Sequence, residues 1–192
     1  MTRDDQILKA AEELFYQRSF DGVGVDEIGQ AAGVSGSAIY RHFEGKNEIL
    51  ETLFDRAVDA LLMGLPDPND HPHDELRELI DSFVQFAQTN RMLASIWERE
   101  HRSLREPYRR RHQRRLRQYV ERWVDCLSKC YPGWAEGRLL VAIRAAQALM
   151  MSDATRPGRG SSRDVGGLLS AMALRSFEVL DSPPRSDTQL GM

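Results

Sequence analysis

The sequence predicts an all-α fold of nine helices, with a three-helix head at the N-terminus and a larger helical body. Apolar residues recur at intervals of three and four through almost the whole chain, which is the helical period. No segment has a convincing strand pattern, and breaks rich in proline and glycine separate the periodic segments. The 192 residues, 41% hydrophobic and 29% charged, are sufficient to bury a core.

The head begins with an amphipathic helix that two shorter helices follow. Thr2 is a suitable N-cap for the first helix, and Phe20-Asp21-Gly22 is expected to end it. The second helix is predicted at about Val25–Ala32 and the third at Gly36–His42. The short link between them, AAGVS, gives this pair the proportions of a helix-turn-helix.

The link itself carries the expected turn chemistry. Gly33 lies where the second helix must stop, and we expect it to adopt a positive φ. Ser35 is a good N-cap for the third helix, because its hydroxyl can accept a free backbone N–H. Ala31 and Ala32 are small, so they are predicted to let the two helices approach closely. The space between the helices is expected to be filled by Ile28, Val34, Ile39 and Phe43.

The outward face of the third helix is predicted to enter the major groove of DNA. With the apolar side chains turned inward, this face carries small and hydrogen-bonding groups. Its residues are Gly36, Ser37, Tyr40 and Arg41. Tyr40 and His42 are placed to reach phosphates, and Lys46 begins the next helix, where free N–H groups also favour an anion. The residues alone leave another interpretation open, in which Tyr40 belongs to the core and Arg41 and Lys46 are only solvated.

The body is predicted to hold six further helices. The first, at 46–63, connects it to the head, and Gly64–Pro72 is a linker that cannot continue this helix. The remaining helices are expected around Leu76–Ala87, around Met92–Trp97, from Tyr108 up to Pro132-Gly133, at 135–153 and at 164–181. The expected domains are therefore a DNA-binding head at 1–45 and a ligand-binding and dimerisation body at 46–181. The tail at 182–192 has the composition of a disordered end.

Charge is distributed unevenly along the chain. The formal net charge is −3, and residues 1–50 carry five basic side chains against nine acidic ones. A DNA-binding head must therefore use a few well-placed groups, because bulk positive charge is missing. Residues 91–123 carry eleven arginines against four glutamates. This stretch is either a surface of solvated ion pairs or a site for an anionic ligand, since guanidinium groups match phosphate and carboxylate.

Residues 5–50 contain the stretch VDEIGQAAGVSGSAIYRHFEGKNEIL, preceded by a helix that ends in LFYQRSFDGVGV. With this stretch they resemble the DNA-binding head of the TetR family of bacterial transcriptional regulators. The resemblance implies a double-stranded DNA operator as partner, with base contacts from the third helix and phosphate contacts around it. The implied DNA-binding residues are Ser35, Gly36, Ser37, Tyr40, Arg41, His42 and Lys46. Asp26 departs from some relatives, in which this position can carry a basic residue that faces DNA. An acid there would repel the DNA backbone or accept a hydrogen bond from cytosine N4.

The same resemblance implies a homodimer and a ligand pocket in the body. The dimer would form through residues 135–153 and 164–181 as a four-helix interface. The pocket would lie among the middle helices of the body and bind a small-molecule effector, such as an acyl-CoA thioester or another anionic or hydrophobic ligand. Its expected residues are Phe83, Phe86, Trp97, Tyr108, Tyr119 and Trp123, with Arg99, Arg102 or Arg105 near the mouth. Each of these aromatic residues is alternatively a core residue.

The predicted function is a ligand-responsive dimeric repressor on a palindromic operator. The alternatives are a constitutive DNA-binding regulator whose body only dimerises and a helical ligand-binding protein that does not contact DNA. The chain is not expected to be an enzyme or to hold a cofactor or metal, because catalytic motifs are missing and Cys126 and Cys130 lack a nearby histidine. Two cysteines and no membrane-length apolar run predict a cytoplasmic protein without a membrane partner.

Overall fold

The computed structural model describes residues 2–156 and 165–182, and within these ranges it consists of nine α-helices without a strand. The all-α prediction is thereby confirmed. The helices are α1 (Arg3–Arg18), α2 (Val25–Ala31), α3 (Gly36–Ile39), α4 (Lys46–Met63), α5 (Pro72–Thr89), α6 (Arg91–Glu100), α7 (Tyr108–Cys130), α8 (Glu136–Thr155) and α9 (Val165–Phe177). Short 3₁₀ turns follow α6 and α9, at His101–Ser103 and Glu178–Asp181. The predicted disordered tail lies outside the described residues, except for Ser182.

The first helix is closed at its N-terminus as expected. The Thr2 hydroxyl accepts from the Asp5 backbone N–H at 3.2 Å, and the Asp5 carboxylate accepts from the Thr2 N–H at 2.9 Å. These two bonds form a capping box, which satisfies two donors that a helix start leaves free. The helix ends at Arg18, before the predicted stop, because Ser19 has a φ of 68° that a continuing helix does not allow.

The core of the head continues into the body. Phe15 of α1 is fully buried together with Ile28 of α2 and Ile39 of α3. The same cluster includes Leu50 of α4 and Ile96 of α6, which belong to the body. Since one close-packed cluster joins the two parts, a displacement of α4 or α6 must also displace side chains in the head.

Two glycines let α2 and α3 cross closely. A Cβ on Gly29 would lie 3.0 Å from the backbone nitrogen of Gly36. A Cβ on Gly36 would in turn lie 1.8 Å from a carboxylate oxygen of Asp26. Of the two alanines predicted to permit this approach, Ala31 is exposed and does not contribute, whereas Ala32 is partly buried against the core.

The third helix is shorter than predicted. It ends at Ile39, and the next residues form a tight turn in place of a continued helix to His42. The Arg41 N–H donates to the Ala38 carbonyl at 3.2 Å and the His42 N–H to the Ile39 carbonyl at 2.9 Å, which are bonds across three residues. This tightening returns the chain to the core, where Phe43 is buried.

The body packs α5, α7, α8 and α9 around Trp123, which is fully buried on α7. The start of α5 is set by Pro72, the last residue of the predicted linker, because proline is well suited to the first turn of a helix. The predicted bounds of α4 are those of the structure. No helix among the described residues is long and apolar enough to span a bilayer.

Candidate DNA-contacting surface and ligand cavity

The surface around α3 carries the polar groups that the sequence predicts. The Ser35 hydroxyl accepts from the Ala38 N–H at 3.2 Å, which makes Ser35 the N-cap, and Gly33 has a φ of 70° as expected. The Ser37 hydroxyl lies 3.0 Å from that of Ser35 and is exposed. Ile39 is fully buried on the opposite side. The predicted division of α3 into an inward apolar face and an outward polar face is confirmed.

Tyr40 and Arg41 project from the end of this surface. Tyr40 is 61% exposed, so the interpretation that it belongs to the core is wrong. Arg41 is also exposed. Within residues 2–156 and 165–182, neither side chain has a hydrogen bond or an ion pair. Both are therefore free to contact another molecule, and their contact with DNA stays a prediction.

His42 is held by the start of α1. Its Nδ1 lies 2.6 Å from a carboxylate oxygen of Asp4, which fixes the orientation of the ring. With Nδ1–H donating to Asp4, a neutral imidazole has only a lone pair left at Nε2. A phosphate contact through Nε2 therefore requires the protonated imidazolium.

Lys46 has a structural role that the sequence did not suggest. Its ammonium donates to the Phe20 carbonyl at 3.0 Å and to the Val23 carbonyl at 3.2 Å. It also lies 4.4 Å from the centroid of the Phe20 ring, a cation–π arrangement. Two of its three N–H groups thus hold the loop between α1 and α2, and a phosphate contact through the third stays a prediction. The carbonyl partners come from a distant part of the chain, so the sequence carries no signal for them.

A cavity of about 210 Å³ lies in the body between α4, α5, α6, α7 and α8. Four of the predicted pocket residues line it: Phe83, Phe86, Trp97 and Tyr119. Tyr108 and Trp123 do not line it, because both are buried in the packing beside it. Fourteen of the sixteen lining residues are aliphatic or aromatic, and the others are His112 and Gln147. An occupant of this cavity must therefore be mostly apolar.

Within residues 2–156 and 165–182, no arginine lines this cavity. Arg102 is exposed in the 3₁₀ turn after α6, beside a shallow depression next to Glu106, and is not at the cavity. Arg99 donates instead to the carbonyls of Phe15 and Tyr16, at 2.9 and 3.0 Å. The placement of Arg102 near a pocket mouth does not agree with this geometry, because the turn directs it to the surface.

Most arginines of α7 are paired with acidic residues. The paired side chains are Arg109, Arg110, Arg111, Arg115 and Arg122. Arg115 joins α7 to α4 through Asp55, at 2.8 Å, and Asp59. Arg122 lies 2.8 Å from Glu75 of α5, which is fully buried. This geometry favours the ion-pair interpretation of these five arginines over an anion site.

His112 of α7 is the functional candidate that the sequence analysis missed. It lies on the apolar stripe of α7 and is only 1% exposed. Its Nδ1 lies 3.2 Å from the Tyr108 hydroxyl, while its Nε2 has no hydrogen-bond partner in the described part of the chain. Burial lowers the pKa of His112 to about 4. A single histidine on an otherwise apolar helix face was the available signal.

Comparisons with known proteins agree with this architecture. Residues 7–53 match the family of bacterial regulatory proteins called tetR, and residues 69–152 match the tetracyclin repressor-like C-terminal domain. Together the two matches cover about two thirds of the chain. The transcriptional activator FasR of Mycolicibacterium smegmatis is 35% identical over 89 residues. That alignment covers 45% of this chain and 41% of FasR, so the chain matches less than half the length of this curated relative.

Solved structures are similar over nearly the whole chain. A tetR-family regulatory protein from Rhodococcus RHA1 has a TM-score of 0.80 at 19% identity, covering 92% of this chain and 97% of its own. AibR, solved in complex with isovaleryl coenzyme A and operator DNA, has a TM-score of 0.76 at 17% identity, covering 90% of this chain and 96% of its own. At these identities the similarity establishes the fold alone.

Proposed function

Since this chain belongs to the TetR family of bacterial transcriptional regulators, which are not enzymes, we propose that it is a dimeric repressor released from a palindromic operator by a small molecule. The observation that carries the proposal is the position of α4. One part of α4 packs in the core of the head, and another part forms a wall of the cavity.

DNA recognition is assigned to the surface around α3. Ser37 and Arg41 would contact base edges, with Gly36 allowing close approach of the backbone. Tyr40 and His42 would contact phosphates, which set the register of the protein on the duplex. The similarity in fold to AibR, which was solved with operator DNA, supports this assignment.

A dimer is required because one short helix makes too few contacts for a specific site. Two heads that bind successive major grooves would lie about 34 Å apart. A second copy is expected to cover the exposed side of α8 and α9. Four of the six exposed large hydrophobic side chains in the described ranges lie there or in the following turn: Val141, Leu168, Met172 and Val179. Small exposed residues beside them, Ala145, Ala148 and Ala171, would let helices approach closely.

The cavity is connected to the head through α4 and α6. On α4, Phe54 and Val58 line the cavity, whereas Ile49 is buried in the core of the head. On α6, Trp97 lines the cavity. The Glu100 carboxylate, one turn later, accepts from the Phe20 N–H at 3.1 Å. A ligand that displaces either helix would change the spacing of the two heads and lower operator affinity by a coupling free energy of about 1–3 kcal/mol.

The apolar lining favours a hydrophobic effector. AibR was solved with isovaleryl coenzyme A, and an acyl chain suits the lining of the present cavity. The charged phosphates of a coenzyme A ester would find no arginine among the described residues of that lining, so we expect them to remain outside it. A compact apolar molecule is therefore the effector that we propose.

The head assignment is tested by operator binding. We expect Tyr40→Ala to weaken binding to a duplex from the upstream region of the protein's own gene on the order of tenfold, because an exposed phosphate contact is lost. The matched control is Met63→Ala, since Met63 is exposed at the far end of α4. Fluorescence anisotropy measures both affinities. Unchanged affinity of Tyr40→Ala, at wild-type thermal stability, would contradict the assignment.

The same assay separates the two alternatives. If no apolar compound changes the affinity of the protein for the duplex, the protein is a constitutive regulator whose body only dimerises. A protein that binds apolar compounds but no duplex is a ligand-binding protein without a DNA function.

A further inference from the structure

Two buried nitrogens next to the apolar cavity, Nε2 of His112 and Nε1 of Trp123, have no partner in the described residues, and of the two residues only His112 lines the cavity. His112 lines the cavity, and its Nε2 is buried without a hydrogen bond within residues 2–156 and 165–182. Buried polar groups in native proteins are nearly always paired. Nε2 of His112 is an exception to this rule, and its residue lines the cavity in which a ligand is expected. The ligand is therefore a candidate partner for Nε2.

The tautomer of His112 follows from its neighbour. The Tyr108 hydroxyl has a single proton, which it donates to the Glu51 backbone carbonyl at 2.7 Å. Its oxygen can therefore only accept at the 3.2 Å contact with His112 Nδ1. Nδ1 must carry the proton, and in a neutral imidazole Nε2 is then a lone-pair acceptor. Burial and the nearby guanidinium groups of Arg115 and Arg111 keep the ring neutral, with the pKa of His112 at about 4.

The orientation of the ring directs the acceptor edge away from Tyr108. Tyr108 does not line the cavity, whereas His112 does. The imidazole lies against Trp97, with ring centroids 4.7 Å apart, and Trp97 is only partly buried. Since Nε2 is closed off from water, a ligand group that reaches it must displace a side chain that now covers it. The ring of Phe54 on α4 also lies against the imidazole, with centroids 6.0 Å apart. Both α4 and α6 pack in the core of the head, so displacement of either ring acts on a helix that contacts the head.

We propose that His112 Nε2 selects the effector by accepting a hydrogen bond from it. The effector is accordingly an uncharged, mostly apolar molecule with one hydroxyl or other donor group. This inference rests on the proposed ligand response and names the chemistry of its ligand. A carboxylate is disfavoured, because the lone pairs of its oxygens would face the lone pair of Nε2. Its charge would also be buried against the apolar lining of the cavity. The volume of about 210 Å³ exceeds the roughly 150 Å³ that accommodates benzene, which suits a ring with a short substituent.

The test uses three probes of one shape: 4-propylphenol, which has a donor; 4-propylanisole, which has none; and 4-propylbenzoate, which is charged. Calorimetric titration of the full-length protein at pH 7.5 measures the three affinities. We expect the phenol to bind about tenfold more tightly than the anisole, the value of one buried hydrogen bond. The benzoate is expected to bind most weakly. Equal affinity for phenol and anisole, or tighter binding of the benzoate, would overturn the proposal.

Two variants isolate the role of His112. His112→Leu is expected to bind phenol and anisole equally, while it keeps the affinity of the wild type for the anisole. Tyr108→Phe removes the oxygen that fixes the tautomer, so Nε2 can carry the proton and the preference for the phenol should fall. This second variant keeps the histidine and serves if His112→Leu does not fold. A wild-type preference for phenol that survives in the variant that folds would refute the proposal.

Operator binding with each probe distinguishes this inference from the proposed function. If the phenol binds selectively but leaves operator affinity unchanged, the selectivity of His112 stands and the proposed ligand response is wrong. If phenol and anisole bind equally and both release the operator, the response stands and the role of His112 is wrong. If none of the probes binds, both are overturned.

Discussion

The head, residues 2–45, encloses Phe15 in a continuous set of large side chains, whereas the body keeps a cavity of about 210 Å³ among its helices. In the head, α2 and α3 cross closely at Gly29 and Gly36, and Ile39 of α3 is fully buried. In the body, His112 is buried with a polar atom that has no partner in the described residues. In the proposed function the head presents one fixed surface to DNA and the body accepts a ligand, and the difference in packing agrees with that proposal.

The largest effect should come from comparing the two packings directly. Phe15→Ala is expected to lower the free energy of unfolding by about 4 kcal/mol, because the closed core of the head cannot collapse around the missing ring. Phe86→Ala enlarges a cavity that already exists, and Phe86 is only half-buried, so its cost should stay below about 2 kcal/mol. Urea unfolding of both variants measures the difference. Equal costs would show that the body is as tightly packed as the head.

The buried histidine of the body predicts an acid-sensitive stability. The pKa of His112 is lowered from 6.5 to about 4 in the folded chain, mainly by burial, although Asp55 opposes this shift. Between these two pH values, His112 therefore binds a proton in the unfolded chain but not in the folded chain. As the pH falls from about 6.5 to 4, this group should cost about 3 kcal/mol of stability, and below pH 4 it adds nothing further.

His112→Leu is the matched variant for this prediction. It removes the titrating group and fills part of the same space. As the pH falls from 6.5 to 4, the variant should therefore become more stable relative to the wild type. Thermal melts across this range measure it. A constant difference would mean that His112 titrates normally in the folded chain.

The smallest effect concerns two glycines that take the same substitution with opposite results. Gly33 has a φ of 70° with nothing within 4 Å of an added Cβ, so Gly33→Ala should cost about 1 kcal/mol through backbone conformation alone. Gly137 lies in the first turn of α8, also in open space, and Gly137→Ala should gain about 0.5 kcal/mol from helix propensity. Thermal melts test both. A gain in stability for Gly33→Ala would contradict the positive φ at Gly33, and a loss for Gly137→Ala would contradict the helix-propensity argument.

The prediction of the site from the sequence was uneven, because its residues depend on different kinds of information. The role of Ser35 as an N-cap and the positive φ of Gly33 were predicted correctly, since capping and helix termination are decided by neighbours in the chain. Tyr108 and Trp123 were misplaced at the cavity, because periodicity shows which side chains face the core and not which of them border an empty space within it. His112 was hidden for the same reason, as its position in an apolar stripe does not reveal that a hydroxyl occupies only one of its nitrogens.

The amino-acid sequence by itself determined the helices, the bounds of α4, the helix-turn-helix and the polar outward face of α3. These features follow from interactions within one or two helical turns, which any copy of the segment would make. Only the tertiary structure decided that Lys46 holds two carbonyls of the α1–α2 loop, that Arg111, Arg115 and Arg122 of α7 face acids on α4 and α5, and that Nε2 of His112 is buried without a partner in the described residues. Each of these arrangements brings together groups that are distant in sequence, so it is fixed only when the helices pack.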